Sequence, residues 1–367
     1  MNFIRHITPL FTLFFLLFVL PLRGLCTPPA FMIGADLSFL KFAEDEGDVF
    51  FENGKPVDVL QLLKNHGYNW VRLRLFVHPT DLPNNLDYTI ALAKRAKALG
   101  YHFLLDLHYS DTWADPHHQI TPSAWQNLSH PELVKTVFRY TKDTIEAFRK
   151  ANVMPDMVQI GNEVSVGLLW PDGKLPEHWD HFADLMKAGI SGVYAACPTK
   201  LRPWIMIHID RGGDWQYTHL FFDRLAAYHI HYDIIGQSYY PWWHGSLEEL
   251  QQNMRLTAQT YHKPIVIVET AYHWQKAEYP NGNGPFPETP EGQKQFLQTV
   301  YQIVQSTPDH LGVGVFWWEP AVPFHGTYAS LVSRSFFNED HEALPVIMAF
   351  DGYTSGIGVP SSTSSEK

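Results

Sequence analysis

Cysteine is almost missing from this 367-residue chain, which has only Cys26 and Cys197. A disulfide framework is thereby excluded, and stability has to come from a buried core. Basic charge is also scarce. Lys and Arg number 27 against 38 Asp and Glu, a formal net charge of −11. That argues against nucleic acid or an anionic membrane surface as partner, since both require a basic patch. Long apolar runs are missing too, with one exception. Ile7–Leu20 follows Arg5 and His6, and it is too short to span a bilayer comfortably. Gly24 and Cys26 offer small residues at the −3 and −1 positions of a signal-peptidase site. Residues 1–26 are therefore read as a signal peptide, 27–352 as one domain and 353–367 as a C-terminal tail. The expected destination is extracellular or periplasmic. A lipoprotein anchor on Cys26 is disfavoured, because Leu25 stands where a small residue is preferred.

What is present is a steady alternation of two patterns. Short apolar runs that read as buried strands occur at Phe31–Leu37, Trp70–Val77, His102–Leu107, Met157–Ile160, Trp204–Ile209, Ile234–Ser238, Ile265–Glu269 and Val313–Trp318. Segments of 3.6-residue periodicity lie between them. Val57–His66 ends at Gly67 and Leu86–Leu99 ends at Gly100, and glycine after a helix takes the left-handed conformation without a Cβ clash. Pro131 opens a helix running to Lys150, and Thr289-Pro290-Glu291 starts the one before the last strand. Prolines suit a first helical turn. Eight strands alternating with helices predict an all-parallel sheet with right-handed crossovers.

A doubly wound open sheet is the rival architecture. Against it, Ala35-Asp36-Leu37-Ser38 stands where a glycine-rich phosphate loop would follow the first strand. Polar residues also cluster at the C-terminal ends of nearly all eight strands, the end at which a barrel builds its active site. The fold class predicted is α/β, a single (β/α)8 TIM barrel.

Two of those strand ends carry a glutamate. Gln159-Ile160-Gly161-Asn162-Glu163 closes the fourth strand and Val266-Ile267-Val268-Glu269-Thr270 the seventh. A strand-end ion pair would account for either residue taken singly. Two carboxylates on the walls of one cleft are what acetal hydrolysis needs, one to protonate the leaving oxygen and one to attack the sugar. Their pKa values must then differ, since one works protonated and the other ionised. Direct displacement requires them about 5 Å apart.

Longer stretches carry a resemblance. Asp106-Leu107-His108-Tyr109-Ser110-Asp111-Thr112-Trp113-Ala114-Asp115-Pro116 is similar to the third-strand signature of glycoside hydrolase family 53, in clan A. So are Gly161-Asn162-Glu163 with Gly167-Leu168-Leu169-Trp170-Pro171, Ser238-Tyr239-Tyr240-Pro241, and Phe316-Trp317-Trp318-Glu319-Pro320. The resemblance spans about residues 31–350 and implies an arabinogalactan endo-β-1,4-galactanase. Such an enzyme works with retention on β-1,4-galactan or arabinogalactan, here as a monomer free of the membrane after signal cleavage.

It implies Glu163 as general acid/base, Glu269 as nucleophile and Asn162 as partner of the sugar 2-hydroxyl. Arg72 or Arg74, with Arg72 preferred, would hold the nucleophile ionised, and Tyr239 or Tyr240 would donate to it. Only one tyrosine can, because adjacent strand residues face opposite ways. His108 and His208 would line the floor and Trp318 would form a sugar platform. Trp113, Trp242 and Trp274 either extend that platform or pack in their loops. Asp111 and Asp115 either bind hydroxyls or cap their loop. Some relatives bind calcium after strand seven. Here Ala271-Tyr272-His273-Trp274-Gln275-Lys276-Ala277-Glu278 lacks alternating oxygen ligands, so no cofactor or metal is expected. Arg211 stands where a small polar residue is expected, which would alter a distal subsite.

Three rival functions remain in view. Another clan A activity, a mannanase or xylanase, would share the catalytic pair. A metal-dependent barrel hydrolase is disfavoured, because no His-Glu-x-x-His occurs and His229-Ile230-His231 precedes its strand instead of following it. A catalytically dead sugar-binding protein would have little reason to keep both carboxylates.

Overall fold

The computed structural model describes residues 31–198, 202–277 and 284–351. The signal-peptide and tail readings fall outside these residues. Eight parallel strands close into a barrel: β1 Met32–Asp36, β2 Trp70–Leu75, β3 His102–Leu107, β4 Met157–Ile160, β5 Trp204–Ile209, β6 Ile234–Tyr239, β7 Ile265–Thr270 and β8 Gly312–Trp318. Each strand neighbours its sequence neighbours, and β1 closes the ring against β8. The predicted TIM barrel is the fold observed. β2 stops short of Val77, since the Phe76 and Val77 amides leave the ladder to donate to the Asn84 and Ser110 carbonyls.

Around the barrel run α1 Leu40–Asp45, α2 Val59–Asn65, α3 Leu86–Ala98, α4 His130–Lys150, α5 Trp179–Ala196, α6 Trp215–Ala227, α7 Leu247–Tyr261 and α8 Pro290–Gln305. Their starts are chemically marked. Asp58, Asn85 and Thr289 accept the Gln61, Tyr88 and Gly292 amides at 2.9, 3.0 and 3.1 Å. Ser129 with Glu132 and Ser246 with Glu249 form capping boxes, each such cap contributing about 1 kcal/mol. Gly67 and Gly100 sit at φ +89° and +75°, as their place after α2 and α3 requires. Two short hairpins, Phe50–Glu52 with Lys55–Val57 and Gly167–Leu168 with Gly173–Lys174, have no counterpart in the sequence reading.

The barrel interior changes character along its axis. Met32, Trp70, Leu104, Met157, Met206, Val266 and Phe316 form one buried apolar cluster. Gly34 admits Phe316 to it, for a Cβ there would lie 2.2 Å from the Phe316 ring. Strand side chains alternate faces, so two residues after these apolar positions come Arg72, Asp106, Gln159 and His208, all buried. One strand thus supplies core at its start and chemistry at its end.

Candidate active site

The C-terminal face opens into a cavity of about 580 Å³ lined by Arg72, Asn162, Glu163, Tyr240, Glu269 and Trp318 among others. Glu163 and Glu269 reach it by different local devices. Glu163 follows β4 in a left-handed backbone conformation, φ +47°. This is strain that a non-glycine residue holds only where its surroundings enforce it. Glu269 is re-aimed by a bulge. Gln237 pairs with Ile267 but Ser238 pairs with Glu269, so β7 carries one extra residue there, and both Val268 and Glu269 escape the outward face.

The two carboxyls have unlike surroundings. Arg72 Nη1 lies 2.7 Å from Glu269 Oε1, and the Tyr240 hydroxyl donates to Glu269 Oε2 at 3.0 Å. Among the described residues no cation pairs with Glu163, whose carboxyl accepts a hydrogen bond from Ser238 Oγ at 2.6 Å. Burial, then the neighbouring charges of Glu269 and Asp210, push the Glu163 carboxyl well above the usual range. Burial lifts Glu269 as well, but Arg72 pulls the other way. Glu163 is therefore the group that keeps a proton.

Arg72 is the hub. Its five N–H groups meet five acceptors: Asp36 at 2.9 Å, Asp106 at 2.9 Å, Asn162 at 2.8 Å, Gln159 at 3.2 Å and Glu269. A guanidinium can satisfy that many only as a fixed planar fork. Burial opposes its charge, but Asp106, Glu269 and Asp36 hold it firmly protonated. Asp106 also receives His108 Nε2 at 2.9 Å, while His108 Nδ1 accepts the Ala114 amide at 3.1 Å, which fixes that ring's tautomer. Burial opposes the Asp106 charge, but Arg72 and then His108 hold its carboxyl below the usual range. Asn162 donates to the Ala114 carbonyl at 2.8 Å and is oriented by Arg72.

Several open alternatives close here. Arg74 does not reach Glu269; it pairs with Glu319 and stacks 4.3 Å from both Phe39 and Trp113. Tyr239 turns outward and donates to the Gly245 carbonyl at 3.0 Å, leaving Tyr240 as the partner of Glu269. His208 does not line the cavity floor. It lies behind it, with Nε2 2.8 Å from Ser238 Oγ, and burial keeps it neutral. Asp111 is a loop cap, accepting the His78 amide at 3.0 Å and the Ser123 amide at 2.9 Å. Asp115 lines the cavity while also capping its own turn.

Trp113 and Trp318 face the cavity, their rings 6.1 Å apart. Trp242 is buried against Tyr240, and Trp274 donates to the Val332 carbonyl at 2.8 Å. Both are loop packing. Trp243, 55% exposed, takes the wall position instead. Arg211 does enter the cavity, paired with Asp210 at 2.6 Å. The calcium reading rests on the stretch from Ala271 to Glu278, whose last residue lies outside the described residues.

Comparison with known proteins places the chain in a family. The sequence profile of glycosyl hydrolase family 53 matches residues 32–350. The chain belongs to that family. Among family 53 relatives, a probable arabinogalactan endo-β-1,4-galactanase A from Neosartorya fischeri is 37% identical over 319 residues, 83% of this chain and 88% of the relative. The arabinogalactan endo-β-1,4-galactanase A of Aspergillus niger is 36% identical over 301 residues, 78% of this chain and 84% of the relative. A solved structure of a fungal β-1,4-galactanase superposes with a TM-score of 0.82 at 33% identity, covering 88% of this chain and 99% of that one.

Residues that the sequence reading passed over complete the polar network around the two carboxyls. Ser238 bonds Glu163, Asp36 and Gln159 bond Arg72, and Glu319 balances Arg74. The signal for them was available. Each lies at or just past a strand end, among the motifs that carry the family resemblance or the polar clusters at the open face.

Proposed function

We propose that this chain is an endo-acting β-1,4-galactanase that cleaves galactan or type I arabinogalactan by double displacement, with retention at the anomeric carbon. One observation carries the assignment of roles: two buried carboxyls share a cavity, and among the described residues a cation, Arg72, pairs with Glu269 and none with Glu163. Glu163, kept protonated by burial, donates its proton to the leaving glycosidic oxygen. Glu269, held as carboxylate by Arg72 and steadied by Tyr240, attacks the anomeric carbon. Glu163, now ionised, takes a proton from water as the galactosyl–enzyme bond is hydrolysed. Asn162, oriented by Arg72, meets the 2-hydroxyl of the sugar between the carboxyls, a contact that strengthens as positive charge develops. Trp318 and Trp113 supply flat apolar faces for the sugar's C–H groups.

The galactan specificity rests on the family membership and the named relatives. Export by an N-terminal signal peptide belongs to the same proposal and is supported by the residues that precede the barrel. The test is a reducing-sugar assay on galactan, mannan and xylan with wild type and Glu269→Gln. Wild type is expected to act on galactan, and Glu269→Gln to lose on the order of 10⁴-fold or more in kcat with its fold intact. Comparable wild-type rates on mannan or xylan, or near-normal turnover by the variant, would overturn the assignment.

A further inference from the structure

On the flank of the barrel, away from the cavity, a second cluster of polar groups converges. His130 is the first residue of α4, Asp172 lies between the two strands of the 167–174 hairpin, and His181 and Asp184 lie in the first turns of α5. His130 Nδ1 lies 2.7 Å from Asp172 Oδ2, and His181 Nδ1 lies 3.1 Å from Asp172 Oδ1. The two imidazoles stack, with centroids 3.7 Å apart and planes 12° off parallel. On its other edge, His130 Nε2 is buried without a hydrogen-bond partner, 3.5 Å from Asp184 Oδ2.

We propose that His130, Asp172 and His181 form a binding site for one zinc-type divalent transition cation. Two nitrogens and a carboxylate oxygen lie within 4.8 Å of one another. Tetrahedral zinc with ligands at about 2.0–2.2 Å spaces them about 3.3 Å apart, so the site closes when the two rings turn out of their parallel stack and aim both Nδ1 lone pairs at one ion. The environment of His130 supplies the second argument. A carboxylate facing Nε2 favours the proton on that nitrogen, the outer-sphere arrangement that fixes a metal-ligating histidine. Nδ1 lies 2.7 Å from a carboxylate oxygen, so two carboxylates face one ring, and either a proton or a metal ion at Nδ1 satisfies the Asp172 oxygen. A mixed N/O donor set suits zinc or copper better than calcium or magnesium.

The cation would tie together the start of α4, the start of α5 and the hairpin that begins four residues after Glu163. It would act on stability, with no part in the chemistry. None of these residues lines the cavity.

The experiment titrates zinc chloride into the full chain, stripped with a chelator and desalted, by isothermal calorimetry at neutral pH. One zinc per chain and a Tm raised by several degrees at saturation are expected. His181→Phe keeps the stacked ring but removes the nitrogen, and it is expected to weaken binding at least tenfold. His130→Ala should weaken it likewise, and metal-free galactan turnover by His181→Phe should stay at the wild-type level. Absence of zinc binding would overturn the proposal. So would one zinc bound equally well by wild type and His181→Phe, which would place the metal on other histidines.

Discussion

Ser238→Ala separates the proton held by Glu163 from every other feature of the site. In the wild type, His208 Nε2 stands 2.8 Å from Ser238 Oγ, which donates to Glu163 Oε1 at 2.6 Å. That hydrogen bond favours the carboxylate and so works against the burial that raises the Glu163 pKa. Removing it raises the pKa further. A hydrogen bond to a charged group contributes about 1.5–3 kcal/mol, and 1.36 kcal/mol corresponds to one pH unit. The shift is thus at most about two units, and about one once water partly replaces the hydroxyl.

Glu163 must be protonated to act as acid, so activity is lost as pH rises through its pKa. The basic limb of the kcat/KM profile on galactan is therefore expected to move to higher pH by about one unit. The acidic limb reports the ionisation of Glu269 and should stay in place. His208, kept neutral by burial, adds no titration of its own. The substitution also leaves a buried N–H without its acceptor, at about 1–3 kcal/mol, so Tm should fall by a few degrees. A basic limb that stays fixed or moves to lower pH would refute the reasoning that Ser238 supports the charged form of Glu163.

Two further substitutions probe the other carboxylate. Tyr240→Phe removes the 3.0 Å bond to Glu269, which favours the carboxylate. The Glu269 pKa rises, and since the nucleophile must be ionised, the acidic limb is expected to move to higher pH while the basic limb stays. An unmoved acidic limb would count against that contact. Arg72→Met strips the cation from Asp36, Asp106 and Glu269, all buried. Breaking a buried pair on one side costs about 3–5 kcal/mol, to be read from urea unfolding. Arg72→Lys should recover only part of it, because an ammonium has three donors where the site offers five acceptors. Full recovery by lysine would contradict the geometric role assigned to the guanidinium.

The barrel was legible in the sequence because its strands are buried on both faces and read as apolar runs, with glycines or prolines at several helix boundaries. Both glutamates were legible for a related reason. A strand-end ion pair accounts for either one singly, but two of them closing apolar strands of one barrel, with the motifs around them, narrow the chemistry. The structure chose between neighbours that the motifs left equivalent. Arg72 and Arg74 share a face, and only three-dimensional distance shows that Glu319 claims the second. Period-two alternation implied that one of Tyr239 and Tyr240 turns away, but β7's bulge, which sets where Glu269 points, has no signature in the sequence. Trp242, Trp243 and Trp274 look alike as loop tryptophans, and their roles depend on loop paths that local preferences do not specify. His130, Asp172 and His181 are 42 and 9 residues apart in turn, a spacing that matches no metal motif and becomes a cluster only when α4 and α5 pack together.

The central claim is that Glu269 displaces the leaving group directly while Glu163 donates and later accepts the proton. The anomer first released tests it most directly. Proton NMR of a β-1,4-galacto-oligosaccharide during the first moments of hydrolysis, before mutarotation, should show the β-anomer of the new reducing end appearing first. Initial release of the α-anomer would mean single displacement by water and would contradict the roles given to both glutamates.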